Sequence, residues 1–163
     1  MVEDLVEDIM AADEDTQRGK YLTFFIEKEI YGMDIRLVTE IIGIQPITEV
    51  PEVPDYVKGI INLRGRIIPV MDMRRRFKKE DVPYSDRTCV IVIENQGIPL
   101  GLIVDEVSEV LPIPDDAIVP PPELKTSPNK YIMGLGRAEG VVILLLDCEK
   151  FFEHGDEVVL TKR

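Results

Sequence analysis

The segment YVKGIINLRGRIIPVMDMRRRF, Tyr56 to Phe77, returns seventy-five residues later as YIMGLGRAEGVVILLLDCEKFF, Tyr131 to Phe152. At that offset Tyr56 meets Tyr131, Gly59 meets Gly134, Gly65 meets Gly140, Asp72 meets Asp147 and Phe77 meets Phe152. Upstream the echo continues at an offset of 69, where Gly32 meets Gly101, Val38 meets Val107, Glu40 meets Glu109 and Ile41 meets Val110. Matched glycines and acids at fixed offsets point to a duplicated unit of roughly 60 to 70 residues, with about six extra residues in a loop of the second copy. Function is expected where the copies differ. Asn62, Leu63 and Arg64 lead into Gly65, whereas Leu135, Gly136, Arg137 and two further residues lead into Gly140.

A unit of about 65 residues buries only about 60% of its unfolded surface and is marginal alone, so the two copies should share a core. The chain has 163 residues, 45% hydrophobic and without tryptophan, so Ile, Val and Leu must fill that core. Net charge is -12, and residues 1–19 hold seven acids against Arg18. Such a chain repels phosphate backbones, which argues against a nucleic-acid partner. The basic run Arg74, Arg75, Arg76, Phe77, Lys78, Lys79 precedes Glu80 and Asp81 at once and reads as a solvated helical turn. The acidic start is no signal peptide, and no apolar run approaches the ~18 residues of a membrane span. Cys89 and Cys148 read as buried free thiols.

Val2, Leu5, Val6, Ile9 and Met10 form a two-turn helical stripe on an acidic segment, and residues 1–19 are expected to be a mobile tail. Strands are predicted at Tyr21–Glu27 and Ile30–Asp34 around a turn at Lys28 and Glu29, then at Leu37–Ile44. After a proline loop, Asp55 is expected to cap a helical turn through Lys58. Strands Ile60–Leu63 and Arg66–Met71 meet at Arg64 and Gly65, and Pro69 predicts an edge or bulged strand. A short helix, Met73–Phe77, follows. The second copy predicts strands Thr88–Glu94, Ile98–Val104, Val107–Leu111 and Val141–Leu146. A loop spans Pro112–Lys130, and a short helix spans Asp147–Phe152. Many short strands with frequent turns mean an all-β fold, read as two small barrels: about 20–83 and 84–153, with a tail at 154–163.

Catalytic chemistry finds little footing. His154, the one histidine, lies among Glu153, Asp156 and Glu157, without a nucleophile or a fixed metal shell. Gly134, Gly136 and Gly140 precede a strand rather than a helix, so they read as turn glycines, not a phosphate loop. No cofactor is expected. Surface recognition is left. Arg64, at a turn tip between Asn62 and Arg66, is either an interface anchor or a brace for its own turn. Glu40 alternates with apolar Val38, Ile41 and Ile42 on a strand.

The run Lys58-Gly59-Ile60-Ile61-Asn62-Leu63-Arg64-Gly65, with Ile68-Pro69-Val70 and Asp72-Met73-Arg74, resembles the CheW-type chemotaxis coupling proteins. Tyr21–Phe25, Val38-Thr39-Glu40-Ile41, the Gly101 to Val110 block and Gly134-Leu135-Gly136 extend the likeness over about residues 20 to 153. Met73 stands where the family often has leucine, and the acidic tail is not part of the family core. The resemblance implies two SH3-like five-stranded barrels in tandem on a shared core. It implies a cytoplasmic, non-enzymatic adaptor, monomeric when free and without direct membrane contact. Its partners would be a chemoreceptor's hairpin tip and the regulatory domain of the histidine kinase CheA. By matched position Val38, Glu40, Gly59, Asn62 and Arg64 would face the receptor, while Gly101, Val107 and Val110 would serve kinase binding or coupling. The alternative is a CheW-like regulatory module of CheA or of a CheV-like protein. Those would bring nucleotide-binding and phosphotransfer segments or a receiver domain, which 163 residues do not accommodate.

Overall fold

Alternating apolar and polar side chains, broken by glycine and proline turns, yield strand after strand with hardly any helix. The computed structural model describes residues 17–121 and 131–152. From the first half come β1 (Lys20–Ile26), β2 (Glu29–Asp34), β3 (Val38–Gly43), β4 (Val57–Leu63), β5 (Arg66–Asp72) and the single-turn helix α1 (Met73–Arg76). From the second come β6 (Cys89–Asn95), β7 (Ile98–Val104), β8 (Glu106–Pro112), β9 (Ile118–Val119), β10 (Ile132–Ala138) and β11 (Val141–Leu146).

The strands form two sheets, ordered β3-β6-β7-β5-β4 and β8-β1-β2-β11-β10-β9. Each sheet curls into an SH3-like barrel. In the first, the chain beyond β3 returns so that Thr48 bridges Ile60 of β4. In the second, the chain beyond β8 returns as β9 alongside β10. The duplication is visible down to register. Val70 pairs with Gly101 between β5 and β7, and Leu145 pairs with Gly32 between β11 and β2, matching both sequence offsets. A bulge between Val57 and Gly59 has its counterpart between Ile132 and Gly134.

The barrels do not coincide with residues 20–83 and 84–153. The first hairpin of each copy, β1-β2 or β6-β7, belongs to the sheet completed by the other copy. This exchange follows from core building. Inside the barrels lie small clusters, Ile61, Ile68, Val70, Val90, Val92 and Ile103 in one and Tyr21, Leu111, Ile113, Ile143 and Leu145 in the other. The opposite faces of the exchanged hairpins carry Leu22, Phe24, Ile26, Ile91 and Ile93 into one larger core between the barrels. That shared core supplies the burial a lone unit lacks.

Several local expectations are corrected. The first turn is at Glu27 and Lys28. The turn at Asp55 and Tyr56, closed by the Val57 N–H donating to the Pro54 carbonyl at 3.0 Å, does not run through Lys58: β4 begins at Val57, where the Asp72 N–H donates to the Tyr56 carbonyl at 2.7 Å and draws the segment into extended pairing. β5 is an interior strand despite Pro69. Ile60, opposite Pro69, exchanges both its backbone bonds with Thr48, so the proline nitrogen faces away from β4. On that other side the ladder to β7 begins only at Val70. Gly134 and Gly136 are strand residues of β10, not turn residues. A Cβ on Gly134 would meet Ile118 at 2.9 Å, and one on Gly136 would meet Ile113 at 3.2 Å. Gln17 is buried and the Gly19 carbonyl accepts from the Ile113 N–H, so the folded part includes residues 17–19. The helical stripe at Val2–Met10 and the charged segment with His154 lie outside the described residues.

Candidate functional site

The β4-β5 hairpin ends in the residues Arg64 and Gly65, at φ +53° and +84°. Two consecutive left-handed residues make the turn that matches strand twist, and glycine takes the second without strain. Asn62 holds this turn: its Oδ1 accepts the Gly65 N–H at 2.8 Å. Arg64 is therefore not its brace. Its side chain, 67% exposed, crosses to β3, where Nη2 donates to Glu40 Oε2 at 2.5 Å. That hydrogen bond, with the charge of Glu40 behind it, raises the Arg64 pKa above its ordinary value. An ion pair this exposed adds little to stability. What it does is fix the guanidinium, one edge committed to Glu40 and the rest turned to solvent. Arg64 and Glu40, expected as two separate contacts, are one charged unit.

Gly59 stands behind this unit. Its φ is +148°, and a Cβ there would lie 2.1 Å from the Thr48 carbonyl oxygen. Only glycine lets the returning chain close the barrel, which positions the hairpin beside β3. Val38 is 4% exposed and packs in the shared core. Gly59 and Val38 thus shape the site from beneath, while Asn62, Arg64 and Glu40 form its surface.

The residues expected for coupling on the other copy are mostly internal. Val107 is 3% exposed, and a Cβ on Gly101 would meet Val70 and Val90 at 2.8 Å. Val110 is half-buried against the shared core, paired with Leu22 where β8 runs beside β1. Among the described residues, the large apolar side chains exposed on the second barrel are instead Val119, Met133, Val141 and Val142. VVILLL, the whole of β11, is apolar without alternation: its last four residues are buried or half-buried, and its first two, Val141 and Val142, are exposed next to the β10-β11 turn. Ile67, which matches Val142 at the 75-residue offset, is likewise exposed on the first barrel.

The same offset sets Glu139, φ +52°, against Arg64, and Glu109 matches Glu40. The charged unit thus exists in one copy only. Among the described residues no group of His, Cys, Asp and Glu is arranged to hold a metal. Nor is any helix there long and apolar enough to cross a membrane.

The family model of the CheW-like domain matches residues 20–156. Chemotaxis protein CheW of Klebsiella aerogenes is 38% identical over 137 residues, covering 83% of this chain and 82% of that protein. Chemotaxis protein CheW of Treponema pallidum is 31% identical over 141 residues, again 83% of each. The crystal structure of the scaffolding protein TtCheW from Thermoanaerobacter tengcongensis superposes with a TM-score of 0.78 at 37% identity, covering 85% of this chain and 94% of that one. With its duplicated, hairpin-exchanged barrels and a match spanning nearly all the described residues, the chain belongs to the CheW-like domain family of chemotaxis proteins.

Proposed function

We propose that this chain is a non-enzymatic, cytoplasmic scaffold that couples chemoreceptors to the histidine kinase CheA. The observation that carries this reading is the Arg64–Glu40 unit, exposed on the first barrel and replaced by two acids at the matched positions of the second. A receptor's helical hairpin tip offers carboxylates and helix carbonyls, which suit the open edge of a fixed arginine fork. Asn62 sets the turn, and Gly59 and Val38 set the surface it stands on. The kinase's regulatory domain meets the second barrel, where Val119, Met133 and Val142 are exposed apolar side chains. Val107 and Val110, on β8 of that barrel, pack into the shared core, and Gly101 lies inside the first barrel against Val70 and Val90. The free protein is a monomer recruited to receptor arrays through these contacts, and it binds neither nucleic acid nor nucleotide.

The test is a pair of titrations, one with a receptor tail fragment and one with the kinase regulatory domain. Arg64→Ala should weaken receptor binding about 30-fold and leave kinase binding and the melting midpoint nearly unchanged. Glu40→Ala should weaken the receptor about fivefold, more at low salt. Equal loss of both partners with a lowered midpoint would mean that Arg64 serves the fold, and would refute the reading.

A further inference from the structure

The basic run at α1 is not the solvated turn expected from its sequence. It lines a cavity of about 780 Å³, walled by Arg75, Arg76, Lys78 and Lys79 against Asp55 and Asp81. Four cations against two acids is a local reversal in a chain of net charge -12. Two of the cations are already engaged. Arg75 pairs with Asp81 and donates to the Asp55 carbonyl, and Lys79 bridges Glu27 and Glu29.

Arg76 is different. Its guanidinium lies 4.4 Å from the ring of Tyr56 and 4.5 Å from that of Tyr131, the two tyrosines matched by the duplication. Its Nε is shut from solvent and has no hydrogen-bond partner. It has no carboxylate partner among the described residues, and neither has Lys78 beside it. A guanidinium held against two rings can be satisfied only at its free edge, and the matching group for that edge is a planar oxyanion.

We propose that this cavity is a carboxylate-binding site that receives an acidic side chain from a docking protein segment. Arg76 supplies the bidentate fork and Lys78 the second charge. The carboxylate is favoured over phosphate by the walls. Asp55 and Asp81 repel a doubly charged anion, and α1 turns its carbonyl end, not its amide end, toward Lys78. The volume admits a stretch of chain rather than one small ion. This rests on the scaffold reading only in that the carboxylate belongs to a protein. It concerns a surface separate from Arg64.

The Arg76 Nε–H resonance, displaced by two tyrosine ring currents, reports directly on the site in arginine-labelled full-length protein. Acetylated tetraglutamate should shift it saturably, and added salt should weaken the effect. Inorganic phosphate at equal concentration should not saturate it. Lys78→Glu, on an exposed side chain, should keep the melting midpoint and weaken the peptide at least about tenfold, and Arg76→Lys, which lacks the reporter, should abolish peptide binding measured by calorimetry. No saturation, phosphate binding as tight as the peptide, or unchanged peptide affinity in Lys78→Glu would each overturn the assignment. None of these outcomes bears on the receptor and kinase titrations, so the two readings fail separately.

Discussion

Gly59→Ala asks whether the first barrel is closed as described. A Cβ at Gly59 would sit 2.1 Å from the Thr48 oxygen and 2.8 Å from its carbonyl carbon, both backbone atoms. Restoring ordinary contact takes a displacement of about 1 Å or more, larger than a packed strand yields. The Thr48 N–H to Ile60 C=O bond and its reciprocal, both 2.9 Å, would then be lost. Each is worth about 1 kcal/mol net. Holding alanine at φ +148° adds about 1–2 kcal/mol. The entropy that alanine removes from the unfolded chain returns about 0.5 kcal/mol. The expected loss is roughly 3 kcal/mol, a fall in melting midpoint of about 6–12 °C for a chain of this size. The duplication supplies the control. Gly134, its counterpart, has no left-handed φ, and its nearest neighbour is the Ile118 side chain at 2.9 Å, with the Val119 oxygen at 3.2 Å. A side chain can rotate away, so Gly134→Ala should cost only about 1 kcal/mol. Equilibrium urea unfolding of both variants measures the difference. Equal costs, or a Gly59→Ala loss below about 1 kcal/mol, would refute the closure argument.

Asp105 accepts a bidentate bond from Arg74, at 2.9 and 2.6 Å, and the Glu27 N–H at 2.8 Å, with Arg74 only 14% exposed. Burial pushes the carboxyl up, but these bonds outweigh it and hold its pKa below the usual carboxylate range. Its stabilisation is therefore present above the unfolded value near 3.9 and is lost as pH falls through the lower folded value. Asp105→Asn should cost about 2 kcal/mol at pH 7 and flatten acid unfolding below about pH 4, read by circular dichroism. Cys148 is buried and its thiol is pushed far up, with Cys89 raised as well. Native protein should resist iodoacetamide at pH 8, whereas urea-unfolded protein is alkylated at both cysteines by mass spectrometry. Val142→Asp, at a side chain 53% exposed, should weaken the kinase regulatory domain about tenfold without moving the melting midpoint.

Strand positions and the duplication were legible because both depend on local pattern. Ile98–Val104 and Val141–Leu146 fall where apolar runs that follow the turn glycines Gly97 and Gly140 place them. What the pattern could not carry was the partner of each hairpin. β1-β2 pairs as well, locally, with either copy's later strands, and only the shared core selects the exchange. The same blindness affected the site. Glu40 and Arg64 are 24 residues apart, and nothing in either neighbourhood reveals that barrel closure brings them to hydrogen-bond distance. Val38 and Val107 read as candidate contacts by position, yet strand parity buries both. Arg76 was misread because a basic run on a short helix resembles solvated charge, and the stacking tyrosines come from two distant segments, 56 and 131.

On the proposed scaffold role, duplication would also explain how one fold holds two partners apart. Equivalent backbones repeat the same turn, Arg64-Gly65 in one copy and Glu139-Gly140 in the other, with φ of +53° and +52° at the first residue. Geometry therefore cannot distinguish the two hairpin tips, and chemistry must. In the first copy the tip is cationic and tied to Glu40. In the second the matched residues, Glu139 and Glu109, are both acids and cannot form the pair. On the flanks the balance reverses: Arg66, paired with Glu94 at 3.1 Å, is matched by Val141, which is bare and apolar. A ligand that seeks an arginine fork is repelled by the second tip, and one that seeks an apolar strand finds the Arg66–Glu94 pair beside Ile67 on the first. On that proposal, discrimination by repulsion as well as attraction would keep two docking surfaces on one small protein from competing for the same partner.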